Sequence, residues 1–97
     1  MADNKITLSK PYEFEGETFT EIDLQGLNGL KAKDLIEIDK VFIARGNNPA
    51  TSSLTLDYAI IVAQRITRKP LEFFEALPAR DATALKNEVV NFFYGEV

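Results

Sequence analysis

Apolar and polar residues change rhythm along this chain, first alternating and then recurring at helical spacing. Ile6, Leu8, Tyr12 and Phe14 alternate with polar neighbours, the pattern of a half-buried strand. Glu15, Gly16 and Glu17 supply a turn, with Gly16 free to take positive φ. On the return, Thr18, Thr20, Ile22 and Leu24 share one parity. A three-residue loop sets them opposite Phe14, Tyr12, Lys10 and Leu8, whereas a two-residue loop breaks that match. Phe19 is then expected on the other face. Pro11 lacks a ladder donor, so its strand is expected at an edge or bulged.

Gln25 to Leu30, with Gly26, Asn28 and Gly29, reads as a loop. The period then becomes helical. A first helix is predicted from about Ala32 to Arg45, with Asp34 in its first turn and Leu35, Ile36, Ile38, Phe42 and Ile43 as a broad apolar stripe. Gly46, Asn47, Asn48 and Pro49 form a stop signal. Asn47 to Ser53 reads as a polar linker, and Ser52 or Ser53 is the expected cap of a second helix, about Leu54 to Thr67. That helix is apolar nearly all round (Leu54, Leu56, Tyr58, Ile60, Ile61, Val62, Ile66), as suits the buried centre of a bundle or an oligomer interface. Pro70 opens a short helix, Leu71 to Ala76. After Pro78 a last helix runs from about Ala79 to Tyr94, with a stripe of Ala82, Leu85, Val89, Phe92 and Phe93, and Gly95 ends it. The expected fold is α+β: one domain over residues 1–97, its N-terminal β-hairpin (6–24) packed on a small helical bundle (32–95).

Composition narrows the function classes. Hydrophobic residues make up 45% of the 97-residue chain, in the globular range and outside the disordered one. Fifteen acidic against eleven basic residues leave a net charge of −4, which disfavours a phosphate backbone as partner. Cysteine and histidine are both absent, so disulfides, the usual zinc sites and the common nucleophilic triads are excluded. No signal sequence is read at Met1 to Lys5, and the apolar run Ala59 to Ala63 is too short to span a bilayer. A cytoplasmic protein is expected.

The glycines at 26, 29 and 46 match neither a P-loop nor a dinucleotide fingerprint, and Asp34, Glu37 and Asp39 lack the spacing of a calcium loop. No catalytic, cofactor-binding or metal-binding residue is predicted. Asp39 falls inside the apolar stripe of the first helix. It calls for a structural salt bridge, to Arg65 or Arg45, an edge position, or a polar contact with a partner. Arg65, Arg68 and Lys69 read as the solvated end of the second helix, which is too apolar for a nucleic-acid groove. The aromatic doublets Phe73–Phe74 and Phe92–Phe93, the latter followed by Tyr94, either pack inside the bundle or leave one ring of each pair exposed for binding.

The run Ile6-Thr7-Leu8-Ser9-Lys10-Pro11, then Phe14 to Ile22, Leu30, Ala32 to Glu37 and Phe42, resembles the short tail assembly chaperones of tailed bacteriophages, the Mu-like and P2-like tail proteins. The stretches Asp57-Tyr58-Ala59, Leu77-Pro78 and Phe92-Phe93 suit the same layout. The resemblance implies a non-enzymatic protein of the host cytoplasm, needing no cofactor. It would bind the helix-rich tape measure protein and keep it soluble until tail tube subunits polymerise around it, and then leave. It also implies possible self-association, contact with tube protein, and a longer frameshifted form continuing beyond Gly95-Glu96-Val97. The family supplies no contact residues. Exposure geometry points to Phe73, Phe74, Phe92, Phe93 and Tyr94, supported by the second helix. The alternatives are a small structural or adaptor protein of the phage particle and a DNA-binding regulator.

Overall fold

The computed structural model describes residues 5–46 and 55–94. A β-hairpin, β1 (Lys5–Phe14) and β2 (Glu17–Asp23), leads through a 3-10 turn (Gln25–Gly29) into four helices: α1 (Ala32–Ala44), α2 (Leu56–Thr67), α3 (Leu71–Glu75) and α4 (Ala79–Tyr94). The hairpin followed by helices is the expected α+β arrangement. The predicted linker, the Ser52 and Ser53 positions, Leu54 and the Gly95 stop lie outside the described residues.

The hairpin register differs from the expected one. The loop has two residues, with Phe14 paired to Glu17, and both loop residues take positive φ (Glu15 51°, Gly16 82°). Such a turn matches the right-handed twist of its strands, which a longer loop does less well. The mismatch that a two-residue loop creates is removed further along. Thr7 pairs with Glu21 and Tyr12 with Phe19, so four residues of β1 bulge opposite Thr20. Pro11 sits in that bulge, where it forfeits no ladder bond. The two-residue loop corrects two expectations. Phe19 lies on the same side as Tyr12 instead of opposite it, and Thr18 and Thr20 are exposed. Ile22 meets Ile6, and both are buried.

A buried carboxylate fixes the bulge in place. Ser9 donates its backbone N–H to Asp81 Oδ1 (2.9 Å) and its hydroxyl to Asp81 Oδ2 (3.1 Å). Asp81 is only 3% exposed, in the first turn of α4, where the helix dipole also favours an anion. The link therefore ties β1 to α4 where the strand departs from its ladder. Beyond it, Tyr12, Phe14 and Phe19 surround Phe73 edge-on, with ring centroids 5.2, 5.3 and 4.9 Å away. The Tyr12 hydroxyl donates to the Phe73 carbonyl at 2.8 Å. Lys69 Nζ covers the cluster from outside, 4.5 Å above the Phe19 ring.

Every residue of α2 from Tyr58 to Ala63 is buried, so this helix is the centre of the molecule. It packs against α1, α3, α4 and the 3-10 turn. Its N-cap is Thr55, not Ser52 or Ser53: Thr55 Oγ1 accepts from the Tyr58 N–H (3.2 Å), and the helix begins at Leu56. α1 opens on half of a capping box, in which the Asp34 carboxylate accepts the Lys31 N–H (2.9 Å). Gly46, at φ 92°, closes it. At Gly26 the 3-10 turn touches α2 so closely that a Cβ there would stand 2.7 Å from Ile66 Cβ.

Two stability predictions follow from these contacts. Asp81→Ala leaves both Ser9 donors without their acceptor and is expected to cost about 2 kcal/mol in urea unfolding, with Asp81→Asn less damaging. Gly26→Ala forces the 3-10 turn off Ile66 and is expected to cost roughly 1–3 kcal/mol, whereas Gly29→Ala, with open space around it, is expected to change stability far less.

Candidate functional site

The five aromatic residues singled out in the sequence separate into two environments. Phe73 and Phe74 are each 1% exposed, within the core. Phe73 is held by the hairpin rings, and the two doublet members meet edge-on at 5.0 Å. Neither presents a surface, because a helix this short is covered on one side by the hairpin and on the other by α2. The second doublet differs. The apolar stripe of α4 is buried at Ala82, Leu85 and Val89, and then the helix runs past its cover. Phe93 is half-buried, while Phe92 is 39% and Tyr94 60% exposed. Phe93 rests on Tyr58 with ring centroids 6.3 Å apart, and Tyr58 in turn meets Phe42 at 5.6 Å. This aromatic file runs from the core to the surface at the end of α4.

α1 adds a second apolar strip. Its buried face is narrow, Ile38 and Phe42 with half-buried Leu35, because α2 is the helix that covers it. Ile36 and Ile43, expected inside, are 55% and 49% exposed. Asp39 lies on the same flank, one turn from each, and is exposed instead of buried. Its expected bridges to Arg65 and Arg45 do not form, since both arginines are engaged elsewhere. Arg45 donates Nε and Nη2 to Asp57 (2.7–3.1 Å) and Nη2 to Glu75 Oε2 (2.9 Å), joining α1 to α2 and α3. These carboxylates hold its pKa above the usual arginine value. Arg65 Nη2 reaches Asp34 Oδ1 at 2.9 Å. The Lys31 N–H and then the Arg65 guanidinium keep the Asp34 carboxyl below its ordinary range.

Tyr58 touches both helices. Its ring meets Phe42 of α1 and Phe93 of α4. Burial pushes its hydroxyl up to about 12, and the charges of Asp39 and Tyr94 add to the shift. The exposed apolar residues on these helices are Ile36 and Ile43 of α1 and Phe92 and Tyr94 of α4. Ile36 and Ile43 were invisible as surface residues in the sequence, where they complete a stripe that looks like core.

No three acidic side chains converge on a metal-sized site among the described residues. Nor is any described helix long and apolar enough to cross a membrane. What the surface offers is apolar area held on a rigid frame, a feature of protein recognition. The model of the family of phage tail assembly chaperone proteins, E, or 41 or 14, matches residues 5–94. The chain belongs to this family. No curated protein and no solved structure matches it. The match takes in the hairpin and all four helices, so the exposed end of α4 and the open flank of α1 are parts of the chaperone domain itself.

The buried phenol gives the chaperone a defined alkaline limit. Tyr58 ionises near 10 when unfolded and near 12 when folded, so the unfolded chain loses its proton first. Stability is then full below pH 10 and falls as pH rises from 10 to about 12. Tyr58→Phe is expected to remove this part of the alkaline loss. The check is to compare urea midpoints of both proteins at pH 8 and pH 11.5. An equal drop in the two proteins would contradict it.

Proposed function

We propose that this chaperone binds the tape measure protein during phage tail assembly and keeps it soluble, without catalysing a reaction. Family membership supports the role in tail assembly. The observation that carries the finer reading is the exposed apolar surface of Phe92, half-buried Phe93 and Tyr94 at the end of α4, with Ile36 and Ile43 exposed on α1. A tape measure chain is long and helix-rich, and it displays apolar stripes until tube subunits enclose it. A helix laid along the two strips would bury its stripe against them, with Asp39 available for a basic residue on its edge. Phe73 and Phe74 have no part in this contact, since exposing them would open the core.

The net charge of −4 keeps a chaperone–client complex soluble and repels further copies of it. The client contact uses side chains at the surface, so the chaperone binds without unfolding and is free to be displaced as the tube grows. Contact with tube protein, action in the bacterial cytoplasm and several copies along one tape measure complete the proposal.

Co-expression with the phage's own tape measure protein tests it. Soluble, co-purifying tape measure protein is expected with the native chain. The double substitution Phe92→Ala and Tyr94→Ala is expected to lower recovery at least about tenfold, as loss of two aromatic anchors does, while leaving the melting temperature nearly unchanged. Undiminished recovery with that variant would reject this surface. An insoluble tape measure in the presence of abundant native protein would reject the client.

A further inference from the structure

A second feature lies away from the aromatic end, where the 3-10 turn meets the C-terminal end of α2. A cleft of about 600 Å3 opens there, lined by Gly26, Leu30, Asp34, Arg65, Ile66 and Arg68. An adjoining hollow of about 380 Å3 shares Gly26 and Ile66 and continues past Phe19 and Lys69 towards Glu21 and Asp23. The first cleft sets the Arg65 and Arg68 guanidinium groups and the Asp34 carboxylate beside Leu30 and Ile66, and the neighbouring hollow carries Glu21, Asp23 and Lys69.

Arg68 is the unusual member. It caps α2 in the left-handed conformation, φ 63° and ψ 21°, with its N–H bonded to the Gln64 carbonyl (2.9 Å). Glycine is the residue that this position ordinarily takes, because a Cβ is strained there. An arginine held at such a position directs attention to its side chain. That side chain is exposed, and no described carboxylate lies within ion-pair distance of it. Its neighbour Arg65 has Nε and Nη2 turned to Asp34, leaving Nη1.

We propose that the first cleft binds a short segment of a protein partner that carries an acidic side chain next to an apolar one. The carboxylate is held by Arg68 with help from Arg65, and the apolar side chain lies on Ile66 and Leu30. Guanidinium groups suit a carboxylate because they offer paired donors. A polyphosphate or nucleic acid fits poorly, since Asp34 lines the cleft, Glu21 and Asp23 line the hollow beside it, and all three repel a continuous negative chain. The partial negative charge at the end of α2 opposes the carboxylate as well, so binding depends on the guanidinium groups. The site uses neither Phe92 nor Tyr94, and it stands or falls separately from the tape measure reading.

The test uses the full chain and a short blocked peptide of glutamate and leucine, with its glutamine counterpart as control. Binding is followed through the amide resonances of Gly26 and Gly29. The glutamate peptide is expected to shift both resonances and to bind roughly tenfold more tightly than the glutamine peptide. Arg68→Gly is the decisive variant. It relieves the backbone, so the melting temperature is expected to hold or rise, yet affinity for the glutamate peptide is expected to fall roughly tenfold. Equal binding of the two peptides, unchanged affinity in Arg68→Gly, or no shift at millimolar peptide would each overturn the proposal. So would inorganic phosphate that reproduces the peptide's shifts, since the site would then take any small anion.

Discussion

The structure depends on one constraint: α2 has no side that tolerates water over its central turns. Tyr58, Ala59, Ile60, Ile61, Val62 and Ala63 are consecutive and buried. A helix turns about 100° per residue, so six consecutive buried positions require cover all round. One neighbouring helix covers roughly a third of the circumference. Hence α1, α3, α4 and the 3-10 turn all pack on α2. The hairpin is positioned by the same demand, closing the core beside α4 with Ile6, Leu8 and Ile22. Polar contacts then fix the arrangement at its rim. Arg45 joins three helices, Arg65 joins α2 to the start of α1, and Asp81 joins α4 to the strand bulge.

Most of this was legible in the sequence where a pattern repeats. The helices keep their apolar period for several turns, and their observed bounds fall within two residues of those predicted. The all-round apolar character of Leu54 to Ile66 called for a bundle centre or an oligomer interface, and Tyr58 to Ala63 are buried within the chain itself. What escaped prediction depends on contacts distant in sequence. Parity alone could not find the bulge between Thr7 and Tyr12, because its benefit comes from Asp81, seventy-two positions away. Asp81 itself looks like an ordinary first-turn carboxylate. Ile36 and Ile43 look like core because a helical wheel shows which residues are apolar, not how wide the covering neighbour is. The aromatic doublets were equivalent in sequence. Their different burial reflects position, with α3 enclosed between hairpin and bundle and the end of α4 projecting beyond them.

The two candidate surfaces have opposite chemical character. The end of α4 exposes aromatic side chains, and the flank of α1 exposes Ile36 and Ile43 among Glu37, Asp39 and Lys40. The cleft beside α2 sets two guanidinium groups and one carboxylate next to Leu30 and Ile66. A domain of this size has room for both because its core is compact and its helices are short. The first surface suits a client that must be shielded from water, and the second suits a contact that is selective and weakened by salt.

The bulge in β1 carries one consequence for how such a hairpin can evolve. Side chains at Lys10 and Pro11, both exposed, are free to vary, whereas Leu8 is buried and Ser9 binds Asp81 through its N–H and its hydroxyl. Its length is not free. Removing one residue there would turn either Ile6 and Leu8 or Tyr12 and Phe14 outward, because each added or lost residue reverses the face of everything beyond it. Spacing between the two halves of the strand is therefore the inherited quantity, and relatives are expected to drift in spelling across the bulge while counting the same number of letters.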